Sequence, residues 1–293
     1  MSEGFNYEEV FMGVVVDKPK NYLRTFKEDY RLKRLTEAVT TKRGRMLDIG
    51  CGGGILTESL THYFPRVAIY GCDISKTAIT YAQKLGSGKV NYSVIKNKRL
   101  PYKSNFFDVC IVLDVMEHIP DVKFFLKEVK RILKRNGQLF LLVPCEGQPF
   151  TYTWLFQKIK FGNHLTFKHW GHIHPEFTHR SIIKLLETNG FVIKRRTYSE
   201  HVLWQIINVL IYFLPKELME LFIGKKASEY SDSGVIRTNK VKSNRELLMV
   251  IRDGWLKLNI LLRSFTYWET DALKCIPLTA WKIHLLAEKN VDN

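Results

Sequence analysis

Two carboxylates and a cluster of glycines define the chemistry open to this chain. Arg45 to Gly54 reads R-M-L-D-I-G-C-G-G-G, with Asp48 inside an apolar run and Gly50, Gly52, Gly53 and Gly54 behind it; Asp73 follows about one strand–helix unit later. A Cβ at the alternate glycines would block positive φ or hold a ligand off the backbone, so the stretch predicts a tight turn at the carboxyl end of a strand. An acid ending the next strand is placed to accept both cis hydroxyls of a ribose. Asp48, just before the turn, would repel a pyrophosphate but suits a ligand bearing an ammonium group. The three features together point to a nucleoside derivative with a cationic end.

A second set of groups could move protons. His118 lies in the turn D-V-M-E-H-I after a later apolar strand, where it serves either as an acid–base group or as a partner for the turn backbone. Residues 146–177 are rich in aromatics and histidines, including His164, His169, His172 and His174, and a connection of that length at a sheet's carboxyl edge is expected to close an acceptor pocket. His169, His172 and His174 are close in sequence, but only Glu176 joins them at a ligand-like interval, so an acid–base role is expected and no metal. Cys145 follows Pro144 at the end of a strand and reads as a structural thiol.

The elements that must hold these residues alternate between strand and helix. Apolar strands are expected at Met46–Ile49, Val67–Cys72, Phe107–Leu113, Gln138–Val143, Val192–Tyr198 and Ala280–Lys289. Helices are expected over 21–40, over Ile55–Tyr63, after an Asp121 cap as far as Asn136–Gly137, and from a Thr178 cap to Asn189–Gly190. Near the N-terminus, Tyr7 and Phe11 either fold over a ligand or cover the core.

At this point a family resemblance enters. L-D-I-G-C-G-G-G with Y-G-C-D-I-S resembles the class I S-adenosylmethionine-dependent methyltransferases, and L-P-Y-K-S-N-F-F-D-V-C-I-V-L-D-V-M-E-H-I extends the match. The resemblance runs from about Tyr30 to Tyr198, resumes at the C-terminus, and is to the small-molecule and lipid type, including the methyltransferase type 11/12 and quinone-biosynthesis families. It implies an α/β fold: a Rossmann-like, seven-stranded, mostly parallel sheet with an antiparallel last strand. It also implies S-adenosyl-L-methionine as cofactor, with Asp48, Gly50, Gly52 and Gly54 at its methionyl end, Asp73 on the ribose, Ile74 over the adenine, and the Leu113 backbone near the sulfonium. Relatives often carry an acid four residues before the Leu-Pro pair; this chain has Lys96 there, which leaves the adenine to backbone groups or Asn97.

Composition bounds the rest. With 293 residues and 45% hydrophobic content the chain can bury a full α/β core with length to spare. The five cysteines are scattered, which suggests neither a disulfide framework nor a zinc site, and the N-terminal residues lack a basic and an apolar region, which argues against secretion and for a cytoplasmic protein. A net charge of +16 favours acidic partners, anionic membrane or nucleic acid without choosing among them. About eighty residues separate the sixth and seventh strands, so the expected organisation is a methyltransferase domain over 1–200 plus 279–293 and a helical cap over 201–278. Within it, Val202–Leu214 is nearly continuous in apolar residues but shorter than the about 20 needed to cross a bilayer. Leu248, Ile251, Trp255, Leu258 and Leu262 repeat at helical spacing beside basic residues, which suits either a membrane surface or a packed lid.

The expected function is methyl transfer to a hydrophobic or lipid-like small molecule, by in-line displacement onto an oxygen. The protein's main task is then alignment with water excluded, and His118, His172 or His174 takes the acceptor's proton. The alternatives are an RNA methyltransferase, although no N-P-P-Y or D-P-P-Y follows the fourth strand, and a non-catalytic member that binds cofactor or a partner. Oligomeric state is not legible.

Overall fold

The computed structural model describes residues 24, 29–159, 171–210, 262 and 264–290. Its elements in chain order are α1 (Tyr30–Ala38), β1 (Gly44–Ile49), α2 (Ile55–Tyr63), β2 (Val67–Asp73), α3 (Lys76–Leu85), β3 (Asn91–Val94), β4 (Phe107–Leu113), a single 3₁₀ turn (Met116–His118), α4 (Val122–Ile132), β5 (Leu133–Pro144), α5 (Tyr152–Lys158), α6 (His179–Thr188), β6 (Phe191–Ser199), α7 (Val202–Asn208) and β7 (Lys282–Lys289). Residues 264–272 are also helical. Tyr7, Phe11, His164, His169 and most of the expected amphipathic helix over 248–262 lie outside the described residues.

The seven strands form one sheet in the order β3-β2-β1-β4-β5-β7-β6, with β7 antiparallel to both neighbours and the other pairings parallel. Strand order reverses between β1 and β4, so the carboxyl ends of these two strands open a crevice where ligands of such sheets bind. Because β7 runs the other way, its first residue comes to that same edge: Lys282 pairs in register with Pro144 and Ser199.

Side chains alternate across the sheet as strand geometry requires. Met46, Val109, Ile111, Phe140 and Leu142 pack with Leu32 and Leu35 of α1 and Leu60 of α2 on one face. Leu47, Cys110, Val112, Leu139 and Leu141 pack with Leu126 and Val129 of α4 and Ile182 and Leu186 of α6 on the other. The fully buried strands β1 and β4 are therefore near-continuous apolar runs. Among the described residues no helix is long and apolar enough to cross a membrane.

Two boundaries differ from expectation. The first helix starts only at Tyr30, where the Asp29 side chain accepts the Arg31 amide and caps it. The helix after Asp121 stops at Ile132, short of Asn136–Gly137, because Leu133 already pairs with Phe107. Asn136, at φ +59°, then marks an irregularity inside β5 before Gln138 resumes pairing opposite Val109. By contrast, Thr178 caps α6 in a reciprocal capping box with Ser181, and Gly190 follows it at φ +80°.

Candidate active site

The turn after β1 is shaped by where its glycines face. Gly50, Gly52 and Gly54 all have positive φ. A Cβ on Gly50 would stand 2.3 Å from a Val115 methyl, and one on Gly54 2.5 Å from the Tyr92 hydroxyl, so these two are required by packing. A Cβ on Gly52 would meet nothing within 4 Å. Gly52 is therefore the glycine that presents open backbone to a ligand, while its neighbours hold the turn down.

The acids fix this turn from both sides. Asp73 Oδ2 accepts the Gly52 amide at 2.9 Å and Oδ1 accepts the Ser75 amide at 2.9 Å, which sets the plane of the carboxylate at the end of β2. Asp48, buried beneath the turn, accepts the Thr57 hydroxyl at 2.6 Å. Burial pushes its carboxyl up to about 7, against the opposing pull of the Thr57 bond and the Arg31 charge. A cationic ligand above the turn would favour its ionised form. Ile74 follows Asp73 and is 58% exposed, while Leu113 is buried at the end of β4. The turn is thus an open cradle with Asp48 beneath it and Asp73 beside it, a donor set that suits a ligand with an ammonium group and a cis-diol.

Beyond Leu113 lies an electrostatic knot that the sequence did not disclose. Asp114 takes a left-handed conformation at φ +53°. It pairs with Lys282 at 2.9 Å and with Arg31 at 3.2 Å; Arg31 in turn grips Asp29 with Nε and Nη2 at 2.9 and 2.6 Å. Burial alone would raise the Asp114 carboxyl, but Lys282 and Arg31 hold it down at about 2. Lys282 also meets Glu200 at 3.2 Å, and Tyr30 donates its hydroxyl to the same carboxylate. Glu200 is itself at φ +59°. These groups border a cavity of about 190 Å³ roofed by Trp204 and Tyr267. Strained non-glycine backbone at Asp114 and Glu200 is held by surrounding contacts, a pattern that clusters at functional sites.

The histidines divide. His118 Nδ1–H donates to Gly171 O at 3.1 Å, and its ring stands edge-on to His172 at 5.1 Å between centroids. Burial, with a smaller push from His172, lowers His118 to about 4, so it is neutral at pH 7. His172 Nδ1–H donates to Glu146 Oε1 at 2.6 Å; its Nε2 faces Glu117 Oε1 at 3.9 Å. His174 is removed from this group: its Nδ1 engages Glu176 and its Nε2 engages Ile119 O, each at 2.9 Å, and its ring stacks on Phe177. With both nitrogens engaged, it stands apart from the His118–His172 pair.

Glu117 and Glu146 are the residues that sequence reasoning missed. Both are buried acids at the carboxyl ends of adjacent strands, the position that had drawn attention to Asp73. Among the described residues the Glu117 oxygens have no hydrogen-bond partner, and burial with the nearby Asp114 charge pushes its carboxyl well up. One ligand atom each from Glu117, His118 and His172 lie within 4.8 Å of one another, a donor set that could hold a divalent cation. The sequence argument against a metal had considered His172 with His169 and His174, not with these partners. Cys145 is fully buried and its thiol is pushed up by burial, in keeping with a packing role.

Glycine turn, strand-end acid and sheet order have the arrangement of the class I S-adenosylmethionine-dependent methyltransferases. Residues 47–141, about a third of the chain, match the family described as "Methyltransferase domain". It is 37% identical over 103 residues to the ubiquinone biosynthesis O-methyltransferase of Pelagibacter ubique, a stretch covering 34% of this chain and 42% of that protein. It is 30% identical over 113 residues to the protein of the same name from Coxiella burnetii, covering 38% and 47%. The chain thus spans less than half the length of these relatives. Among solved structures, phosphoethanolamine N-methyltransferase 2 of Haemonchus contortus, in complex with S-adenosyl-L-methionine, superposes with TM-score 0.53 at 18% identity, covering 89% of this chain and 52% of that one. The cyclase SpnF superposes with TM-score 0.54 at 17% identity, covering 90% and 82%. These two likenesses establish the fold alone, and the second shows that the fold does not dictate methyl transfer.

Proposed function

We propose that the chain transfers a methyl group from S-adenosylmethionine to a hydroxyl oxygen of a hydrophobic small molecule. The carrying observation is the Glu146–His172 pair standing across the carboxyl edge of β4 and β5 from the glycine cradle. The cofactor supplies the electrophilic methyl carbon when bound; the protein's own residues bind, orient and receive the proton. Asp73 is suited to the ribose hydroxyls, and the Gly52 backbone with Asp48 beneath it to the methionyl end. Glu146 accepts the Nδ1 proton of His172 and so sets the ring's orientation, with Nε2 turned toward Glu117 on the acceptor side. Trp204, Trp281 and Tyr152 pack together near this side and support an apolar acceptor. Most of the cap expected over 201–278 lies outside the described residues. The names of the relatives support O-methylation.

Incubation with methyl-labelled S-adenosylmethionine and separated lipid, small-molecule and RNA fractions tests this. Label is expected in the lipid or apolar small-molecule fraction. Label in RNA, with binding that falls steeply with salt, would replace this reading with the nucleic-acid one; cofactor binding with no labelled fraction would point to a non-catalytic member.

A further inference from the structure

α7 is built inside out. Its polar residues Gln205 and Asn208 are buried: the Gln205 side chain accepts the Tyr152 amide at 2.9 Å and donates to Glu200 O and Thr279 O at 2.9 and 2.6 Å, and Asn208 donates to the Tyr152 hydroxyl at 3.3 Å. Its apolar residues Val202, Ile206 and, just beyond the helix, Leu210 recur every four positions and are 46%, 49% and 57% exposed. A helix stabilised only by its own fold shows the reverse pattern.

The stripe has neighbours of the same kind. α5 is fastened to α7 through Tyr152, and it exposes Leu155 and Ile159. The helix over 264–272 is fastened to α7 through Glu269, whose carboxylate accepts the Leu203 and Trp204 amides at 2.7 and 3.1 Å, and it exposes Phe265 and Trp268, the latter 71% accessible. Three helices joined by these polar bonds thus each carry exposed large apolar side chains. Neighbouring exposed apolar side chains mark interaction surfaces.

We infer that this three-helix surface docks on an anionic lipid leaflet. The net charge of +16 argues for the occupant: a second copy brings the same charge to the contact, whereas an anionic leaflet is attracted to a basic protein. An exposed tryptophan beside aliphatic side chains suits the boundary between headgroups and acyl chains. Lys158, at the end of α5 beside the Trp154 ring, supplies a cation at the rim of the patch. The inference goes beyond the proposed reaction and does not depend on it.

The full chain is sedimented with vesicles of phosphatidylcholine alone or mixed with phosphatidylglycerol, and S-adenosylhomocysteine binding is measured in parallel. Binding is expected to the mixed vesicles, to weaken with salt, and to fall by about tenfold in the double variant Ile206→Ser, Leu210→Ser while S-adenosylhomocysteine affinity is retained. Brominated acyl chains should quench tryptophan fluorescence less in Trp268→Phe than in the parent. Equal binding by parent and double variant, or binding to neither vesicle, overturns the inference. So does a concentration-dependent dimer that the same variant abolishes. In lipid-free protein, Ile206→Cys should react with a maleimide about as fast as exposed Cys275; protection like that of buried Cys145 would assign the stripe to another segment of this chain.

Discussion

Asp73 accepts the Gly52 amide at 2.9 Å, so the acid ending β2 and the glycine turn are one mechanical unit. Asp73→Ala should therefore lower S-adenosylhomocysteine affinity by more than tenfold, above about 1.4 kcal/mol, by losing both the acid and the shape of the turn. Asp73→Asn, which keeps an acceptor oxygen for one amide, should fall between the parent and the alanine variant in titration calorimetry.

The glycines should separate stability from binding. Gly50→Ala and Gly54→Ala place a methyl against Val115 and Tyr92 and should lower the melting temperature strongly. Gly52→Ala meets open space and should cost only the about 1–2 kcal/mol of its left-handed backbone while losing most cofactor affinity. Adding Val115→Ala should recover part of the stability lost in Gly50→Ala and none of that lost in Gly54→Ala.

At the acceptor side, His172→Ala should cut turnover by about a hundredfold or more with little change in S-adenosylhomocysteine affinity. Glu146→Gln should lower turnover less, since its amide still lies within reach of Nδ1 but no longer fixes the tautomer, and should displace the pH profile of turnover. His174→Ala should leave turnover near the parental value, because that ring serves Ile119 and Glu176.

A cation at Glu117, His118 and His172 would be revealed by chelation. If His172 acts as the base, turnover of purified protein should survive exhaustive chelation, and added manganese should not raise it. A chelator-sensitive rate restored by a divalent ion, together with loss of ion binding in Glu117→Gln, would place the cation there instead.

Acid stability has a definite sign. Burial holds His118, His179 and His201 at about 4 and His284 at about 3, below the ordinary 6.5. Each stays neutral in the folded protein while the unfolded chain takes up its proton, so stability should be full above about pH 6.5 and fall as pH drops toward 4. The slope is up to about 1.4 kcal/mol per pH unit for each group. His284→Gln should flatten that slope in denaturant titrations across pH 4–7, provided the glutamine keeps the Ser199 contact.

The sheet and the glycine turn were legible because they depend on local pattern. Strand-then-glycine at 46–54 and strand-then-acid at 67–73 are each written within ten residues, and Asp73 reaches the Gly52 amide at the end of β2. The acceptor side was not, since its contacts join distant positions. Glu146 and His172 lie 26 residues apart, and Asp114 and Lys282 are brought together by the reversed direction of β7. The end of α4 was misread for a related reason: pairing of Leu133 with Phe107 outweighed the local helix-stop signal of Asn136–Gly137. The inverted face of α7 was equally hidden, because a nearly continuous apolar run does not reveal which side of it faces outward.

β7 is the last of the seven strands in the chain yet lies inside the sheet, between β5 and β6. During synthesis both neighbours must wait with unpaired edges until residues 282–289 have left the ribosome, an interval in which a nascent chain is exposed to mispairing. Lys282 arrives with that strand, so the ionic knot around Asp114 cannot close earlier. Sheet closure and completion of the site are thus a single late event, and a chain released before β7 would lack a strand between β5 and β6 and would leave Asp114 with Arg31 alone of its two counter-charges.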